Sequence, residues 1–204
     1  MNSKLYYFYD PMCSWCWGYK VQWEQLQKAL PNAIKVQTVL GGLAPDSDTI
    51  MPIAMQKTIA SYWRRIEAEL GVTFNYDFWR LCQPKRSTYP ACRAVIAARQ
   101  QQQESKMNAA IQEAYYLRAM NPSEISVLIK IANEIGLDVQ RFERDVAGEE
   151  VNKILSQEIK FTRESLAQGF PSLVLEHKQK QHAVPIDYKN HQASLAYIQS
   201  IYES

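Results

Sequence analysis

Asp10-Pro11-Met12-Cys13-Ser14-Trp15-Cys16-Trp17-Gly18-Tyr19-Lys20, DPMCSWCWGYK, places two cysteines three positions apart at the point where one sequence pattern gives way to another. Upstream, Lys4 to Tyr9, KLYYFY, is short and aromatic and ends at Asp-Pro, the signature of a buried strand. Downstream, Trp17, Val21, Trp23, Leu26 and Leu30 recur at helical spacing until Pro31-Asn32 stops them. Ile34 to Leu40, IKVQTVL, then alternates apolar and polar residues and meets Gly41-Gly42, as a strand ending in a turn does. The first 42 residues therefore read as strand, helix, strand, with the cysteines at the first junction.

The rest of the chain changes character twice. Between about Thr49 and Gly148 strand alternation disappears and helical patterns follow one another: Ile50 to Leu70, Tyr89 to Gln103, Met107 to Met120, Ser123 to Ile135 and Asp138 to Ala147. Asn121-Pro122-Ser123-Glu124 reads as a capped start for the fourth of these, with Asn121 as cap and Pro122 at the first helical position. After a helix from Glu149 to Gln168 come two short apolar runs, Ser172 to Glu176 and Ala183 to Ile186. They are separated by HKQKQH and read as a hairpin with Pro185 on an edge strand. Asn190 to Tyr202 closes the chain as an amphipathic helix. The expected organisation is 1–48 mixed, 49–148 all-helical insertion and 149–204 mixed again.

With 204 residues, 47 % hydrophobic and 22 % charged, the composition is that of a globular domain large enough for a substantial core. Its 23 basic and 21 acidic residues leave a net charge of +2, scattered along the chain, so neither nucleic acid nor an anionic membrane is an expected partner. No apolar run approaches the roughly 18 residues of a membrane span. The start, MNSKLYYFYDP, lacks the features of a secretory leader, and the cytoplasm is the expected compartment.

Four cysteines are too few for a disulfide scaffold of this size, which leaves redox chemistry, metal binding or buried thiols. Zinc needs four ligands, usually from two closely spaced pairs. Cys82 and Cys92 lie too far apart for that, and His177, His182 and His191 show no ligand spacing, so no metal is expected. Cys82 and Cys92 read as core or incidental thiols, with a second regulatory disulfide as the alternative. A thiol at a helix N-terminus faces unpaired backbone N–H groups and the positive end of the dipole. Such positions lower a thiol pKa from about 8.5 toward 3.5–7.5. Cys13 is therefore the expected nucleophile, and Cys16, one turn further in, the thiol that resolves its mixed disulfide.

Phe8-Tyr9-Asp10-Pro11-Met12-Cys13-Ser14-Trp15-Cys16-Trp17-Gly18 resembles the active-site segment of DsbA-like thiol-disulfide oxidoreductases, among them predicted cytosolic protein disulfide isomerases with a C-S-W-C centre. The resemblance covers essentially the whole chain. It implies an α/β protein in which a thioredoxin-like fold is interrupted by an all-α insertion domain. It places the nucleophile on Cys13, the resolving thiol on Cys16 and a cis-proline on Pro171 in Gly169-Phe170-Pro171-Ser172, with Phe170 adding backbone beside the substrate. Ser14, Trp15 and Arg93 join Phe170 and Pro171 as candidate substrate contacts, Trp15 being expected at the surface. No cofactor is implied beyond the redox-active pair, with glutathione as a candidate reductant and protein disulfides or small thiols as substrates. The buried acid that family members often carry six residues before the first cysteine is here Tyr7. Their histidine before the second cysteine is here Trp15, which points to a less oxidising pair. Two rival readings stand beside this one: a glutathione-dependent transferase or isomerase of the same fold, and a non-catalytic client- or metal-binding module.

Overall fold

The computed structural model of the chain describes residues 3–203. Contacts divide it into two compact units, Met1–Gly41 with Glu158–Ser204, and Gly42–Gln157. These divisions fall seven residues before and nine residues after the composition changes near 49 and 148, the second of them inside a helix.

The sheet unit begins with β1 (Ser3–Tyr9), α1 (Ser14–Ala29) and β2 (Ile34–Leu40). β1 runs parallel to β2, so a crossover must join them, and α1 fills that role. The strand order is β2-β1-β3-β4, with β3 (Ser172–His177) antiparallel to β1 and β4 (Lys180–Val184) antiparallel to β3. β1 is thus central and covered on both faces, which is why KLYYFY carries no polar alternation. On one face Tyr6 and Phe8 join Val39 and Val174 against Phe161, Ala167 and Phe170. On the other, Tyr7 stacks on Trp23 with ring centroids 4.2 Å apart.

The buried stripe of α1 is Cys16, Tyr19, Trp23 and Leu26, while Val21 from the expected stripe is 53 % exposed. The true stripe includes a cysteine and a tyrosine, residues that an apolar periodicity underweights. β4 also begins earlier than the apolar run suggests. His177 pairs with Lys180, so only Lys178 and Gln179 form the turn, both at positive φ. Positive φ at both central residues suits the twist of a two-residue hairpin and brings the polar HKQKQH into the ladder. Pro185 falls just past this edge strand. α9 (His191–Tyr202) starts where expected, with Asn190 Oδ1 accepting the Gln192 N–H.

The second unit is helical: α2 (Ile53–Leu70), α3 (Phe78–Leu81), α4 (Tyr89–Arg99), α5 (Glu104–Tyr116), α6 (Ile125–Glu134), α7 (Val139–Ala147) and the first part of α8 (Glu149–Glu164). α4 packs against α5, α6 and α7, and seven consecutive-spaced residues from Ala91 to Ala98, all but Arg93, are buried. Its alanines allow helices to approach from several sides, as befits a helix that is apolar nearly all round. The Asn121 cap is not formed. Asn121 Oδ1 accepts from Ser123 N and its carbonyl from Glu124 N, making a buried turn that delays α6 until Ile125. α4 likewise stops at Arg99 because Gln102, at φ 61°, turns the chain.

Candidate active site

The end of β1 is bent into α1 by Asp10. Its Oδ1 accepts the Met12 N–H at 2.8 Å and its carbonyl accepts the Cys13 N–H at 3.0 Å. Cys13 is then the N-cap of α1, with extended dihedrals (φ −80°, ψ 115°) and a carbonyl that takes the Trp17 N–H. A side chain at this position stands beside the first N–H groups of the helix, which have no intrahelical acceptor. The strand-to-helix junction read from DPMC is therefore built by an aspartate fully removed from solvent.

All four cysteines are free thiols. Cys13 and Cys16 are both buried and hydrogen-bonded to each other through their side chains. Burial, reinforced by that bond to Cys13, pushes the Cys16 thiol well above its ordinary value. Cys16 is thus held protonated beside its partner. Cys13 Sγ also donates to the carbonyl of Phe170 at 3.3 Å. The Phe170–Pro171 peptide is cis, and Pro171 directly precedes β3. The register that pairs Phe8 with Ser172 carries this loop to the end of β1 from which the cysteines follow.

Gly41, at the end of β2, forms the floor under Phe170. Its N–H donates to the Tyr9 carbonyl at 2.8 Å, and a Cβ built there would overlap the Phe170 ring. A side chain at position 41 would displace the ring of the residue whose carbonyl holds Cys13.

Aromatic groups close the remaining side. Trp15, expected at the surface, is half-buried, with its ring edge-on to Tyr188 at 5.1 Å. Tyr188 also meets Tyr19 edge-on at 5.6 Å. Tyr7 is fully enclosed, and its phenol is raised well above 10 by burial first and then by the two cysteines. Tyr7 thus presents a phenol that stays protonated in the neutral range. Ser14 and Trp17 are half-buried on the same helix turn, with Lys20 Nζ 5.3 Å from the Trp17 ring centroid.

Arg93 lies on α4 in the helical unit, where both terminal nitrogens reach Asp46, at 2.7 and 2.8 Å, and one lies 3.5 Å from Asn152 Oδ1. Cys92 is buried in α4, and Cys82 donates to the Ala119 carbonyl at 3.1 Å. Among the described residues no three His, Cys, Asp or Glu side chains gather as a metal-binding group, and no helix is long and apolar enough to cross a membrane.

A family model described as thioredoxin matches residues 6–196. Two curated relatives carry the name ClpXP adapter protein SpxH. That of Halalkalibacterium halodurans is 24 % identical and aligns with 84 % of this chain and 58 % of its own length. That of Bacillus subtilis is 25 % identical, with 91 % and 63 % covered. The chain therefore spans about three fifths of the length of these relatives. Among solved structures, a candidate protein disulfide isomerase from Nitrosomonas europaea superposes with a TM-score of 0.86 at 23 % identity, covering 100 % of this chain and 98 % of that one. A cytosolic disulfide reductase, DsbM, from Pseudomonas aeruginosa gives 0.78 at 21 % identity, covering 98 % and 100 %. At such identities the structural likeness is one of fold. With the family match running almost end to end, and with the cysteine helix, the proline loop and the helical insertion in their places, the chain belongs to the thioredoxin family and has its DsbA-like fold.

Proposed function

We propose that the protein is a thiol-disulfide oxidoreductase acting through Cys13. The observation that carries this reading is the pairing of two free thiols at the start of α1, with Cys13 held to the Phe170 carbonyl at 3.3 Å. The Cys13 thiolate attacks one sulfur of a substrate disulfide, and the other sulfur leaves as a thiolate that takes up a proton. Cys16 then loses its proton, attacks Cys13 Sγ and releases the second substrate thiol, leaving the Cys13–Cys16 disulfide. Two molecules of a small thiol, or one dithiol, return the pair to its reduced form by the reverse exchange. Because burial keeps Cys16 protonated, it does not compete with Cys13 for the first attack. Phe170 and Pro171 offer the backbone edge on which a client strand replaces the Cys13 contact. Ser14 and Trp15 are the remaining candidate contacts on the cysteine helix. Glutathione is the proposed small thiol, a choice supported by the similar fold of DsbM, which has been solved with GSH.

The test is turnover of a glutathione mixed disulfide and of a protein disulfide. Cys13→Ser should abolish both, and Cys16→Ser should accumulate trapped partners on Cys13. Full turnover by the Cys13→Ser protein would end the proposal.

A second reading is a client-binding adapter, supported by the relatives named for that role, which match 84–91 % of this chain. It expects partner capture to survive the loss of both cysteines.

A further inference from the structure

Tyr188 sits in the loop between β4 and α9, a segment with no motif and no periodicity. The backbone on either side of it is nevertheless tied down. Asp187 Oδ1 accepts from Lys189 N at 2.8 Å and Asn190 N at 3.0 Å, and Ser194 Oγ donates to the Pro185 carbonyl at 2.7 Å. His191 N donates to Gln22 Oε1 at 2.8 Å, which pins the loop directly to α1, the cysteine helix. The Tyr188 ring therefore meets Trp15 and Tyr19, one on each side of Cys16 in sequence, from a fixed base.

The dipeptide between the cysteines, Ser14-Trp15, brings no cation to the centre. A polar donor beside a reduced pair steadies negative charge that develops on a sulfur, and the half-buried phenol of Tyr188 is a suitable one when it stays protonated. Burial, then Cys16 and Cys13, push the Tyr188 phenol upward, so it remains a donor throughout the neutral range.

We propose that Tyr188 is a positioning residue of the Cys13–Cys16 centre, whose ring fixes Trp15 over the C-x-x-C turn and whose hydroxyl serves the reduced pair as a polar partner in place of the absent cation. This rests on the thiol-disulfide reading. It goes further by giving the loop before the last helix control over how reactive and how reducible the pair is.

The experiment uses the full-length protein and two substitutions. Tyr188→Phe keeps the ring and removes only the hydroxyl, whereas Tyr188→Leu removes both. Two quantities are read: the alkylation rate of Cys13 by iodoacetamide at pH 7, resolved by mass spectrometry, and the thiol-disulfide equilibrium against glutathione. Losing the hydroxyl, the proposed polar partner of the reduced pair, slows alkylation about fivefold in Tyr188→Phe and shifts the equilibrium toward the disulfide by a similar factor, the equivalent of about 1 kcal/mol. The thermal midpoint stays that of the parent. A role in packing alone would leave both readouts unchanged in Tyr188→Phe, and that result overturns the proposal even if Tyr188→Leu does not fold. The two ideas fail separately. Disulfide turnover that survives Cys13→Ser removes the thiol-disulfide reading, while the alkylation rate still reports on Tyr188.

Discussion

Each unit contains a cluster of aromatic rings, and the two clusters differ in what lies among the rings. In the helical unit Trp63 is ringed by Phe74, Tyr76, Phe78, Trp79, Tyr115 and Tyr116, with centroids 4.9 to 6.1 Å away. Trp63 is fully buried, and among the described residues no acceptor reaches its Nε1. Packing there outweighs the polar atom it strands, which is the balance of a structural core. In the sheet unit Tyr7, Trp23, Tyr19, Tyr188 and Trp15 form a similar chain of contacts, but two buried thiols stand beside it. Side chains of one chemical kind thus form a core in one unit and enclose a pair of thiols in the other. The contrast teaches that aromatic content alone does not mark a site; the pair of buried thiols beside the rings does.

The largest expected effect is on the side without chemistry. Trp63→Ala empties the centre of the helical cluster and should cost about 3–5 kcal/mol in urea denaturation. A loss below about 1 kcal/mol would mean that the cluster is not a core, and the comparison would break.

On the redox side the sharpest steric test is Gly41→Ala. The new methyl group collides with the Phe170 ring, costs about 1–3 kcal/mol, and moves the carbonyl that accepts from Cys13. Slower Cys13 alkylation should accompany that loss. A stability change with no change in reactivity would show that the ring swings aside without its backbone.

The smallest effect is a pH dependence. The Cys16 thiol has a folded value raised above its ordinary 9, so the fold favours the protonated form. That stabilisation is complete below about pH 9 and is lost as the pH rises from there through the folded value. Tyr7, Tyr19, whose phenol is pushed up to about 12, and Tyr188 add the same sign above pH 10. The reduced protein should therefore lose up to about 1.4 kcal/mol per pH unit more steeply than its Cys16→Ser variant between pH 9 and 10. Equal slopes in denaturant titrations would show that burial of Cys16 carries no such coupling.

Much of the architecture was legible in local pattern. β2 matches its alternating run residue for residue, and α9 its amphipathic one to within a residue, because period 2 and period 3.6 are properties of short segments. The same locality explains the misses. The hairpin turn shrank to Lys178-Gln179 because ladder pairing overrode a polar composition, and Asn121 became a turn because the groups around it gave its side chain better partners than a helix end. α3 is a four-residue turn with no room for periodicity.

The site divides in the same way. The sequence by itself determined that two thiols stand where a strand becomes a helix, since β1, the Asp-Pro turn and the start of α1 are contiguous and their signals are local. Only the tertiary structure decided what surrounds them. Phe170 reaches Cys13 across 157 positions, Gly41 lies under Phe170, and Tyr188 comes back onto Trp15 from the far end of the chain. Those neighbours are set by the strand register that aligns Phe8 with both Val39 and Ser172, and register is a relation between distant segments that no single segment encodes.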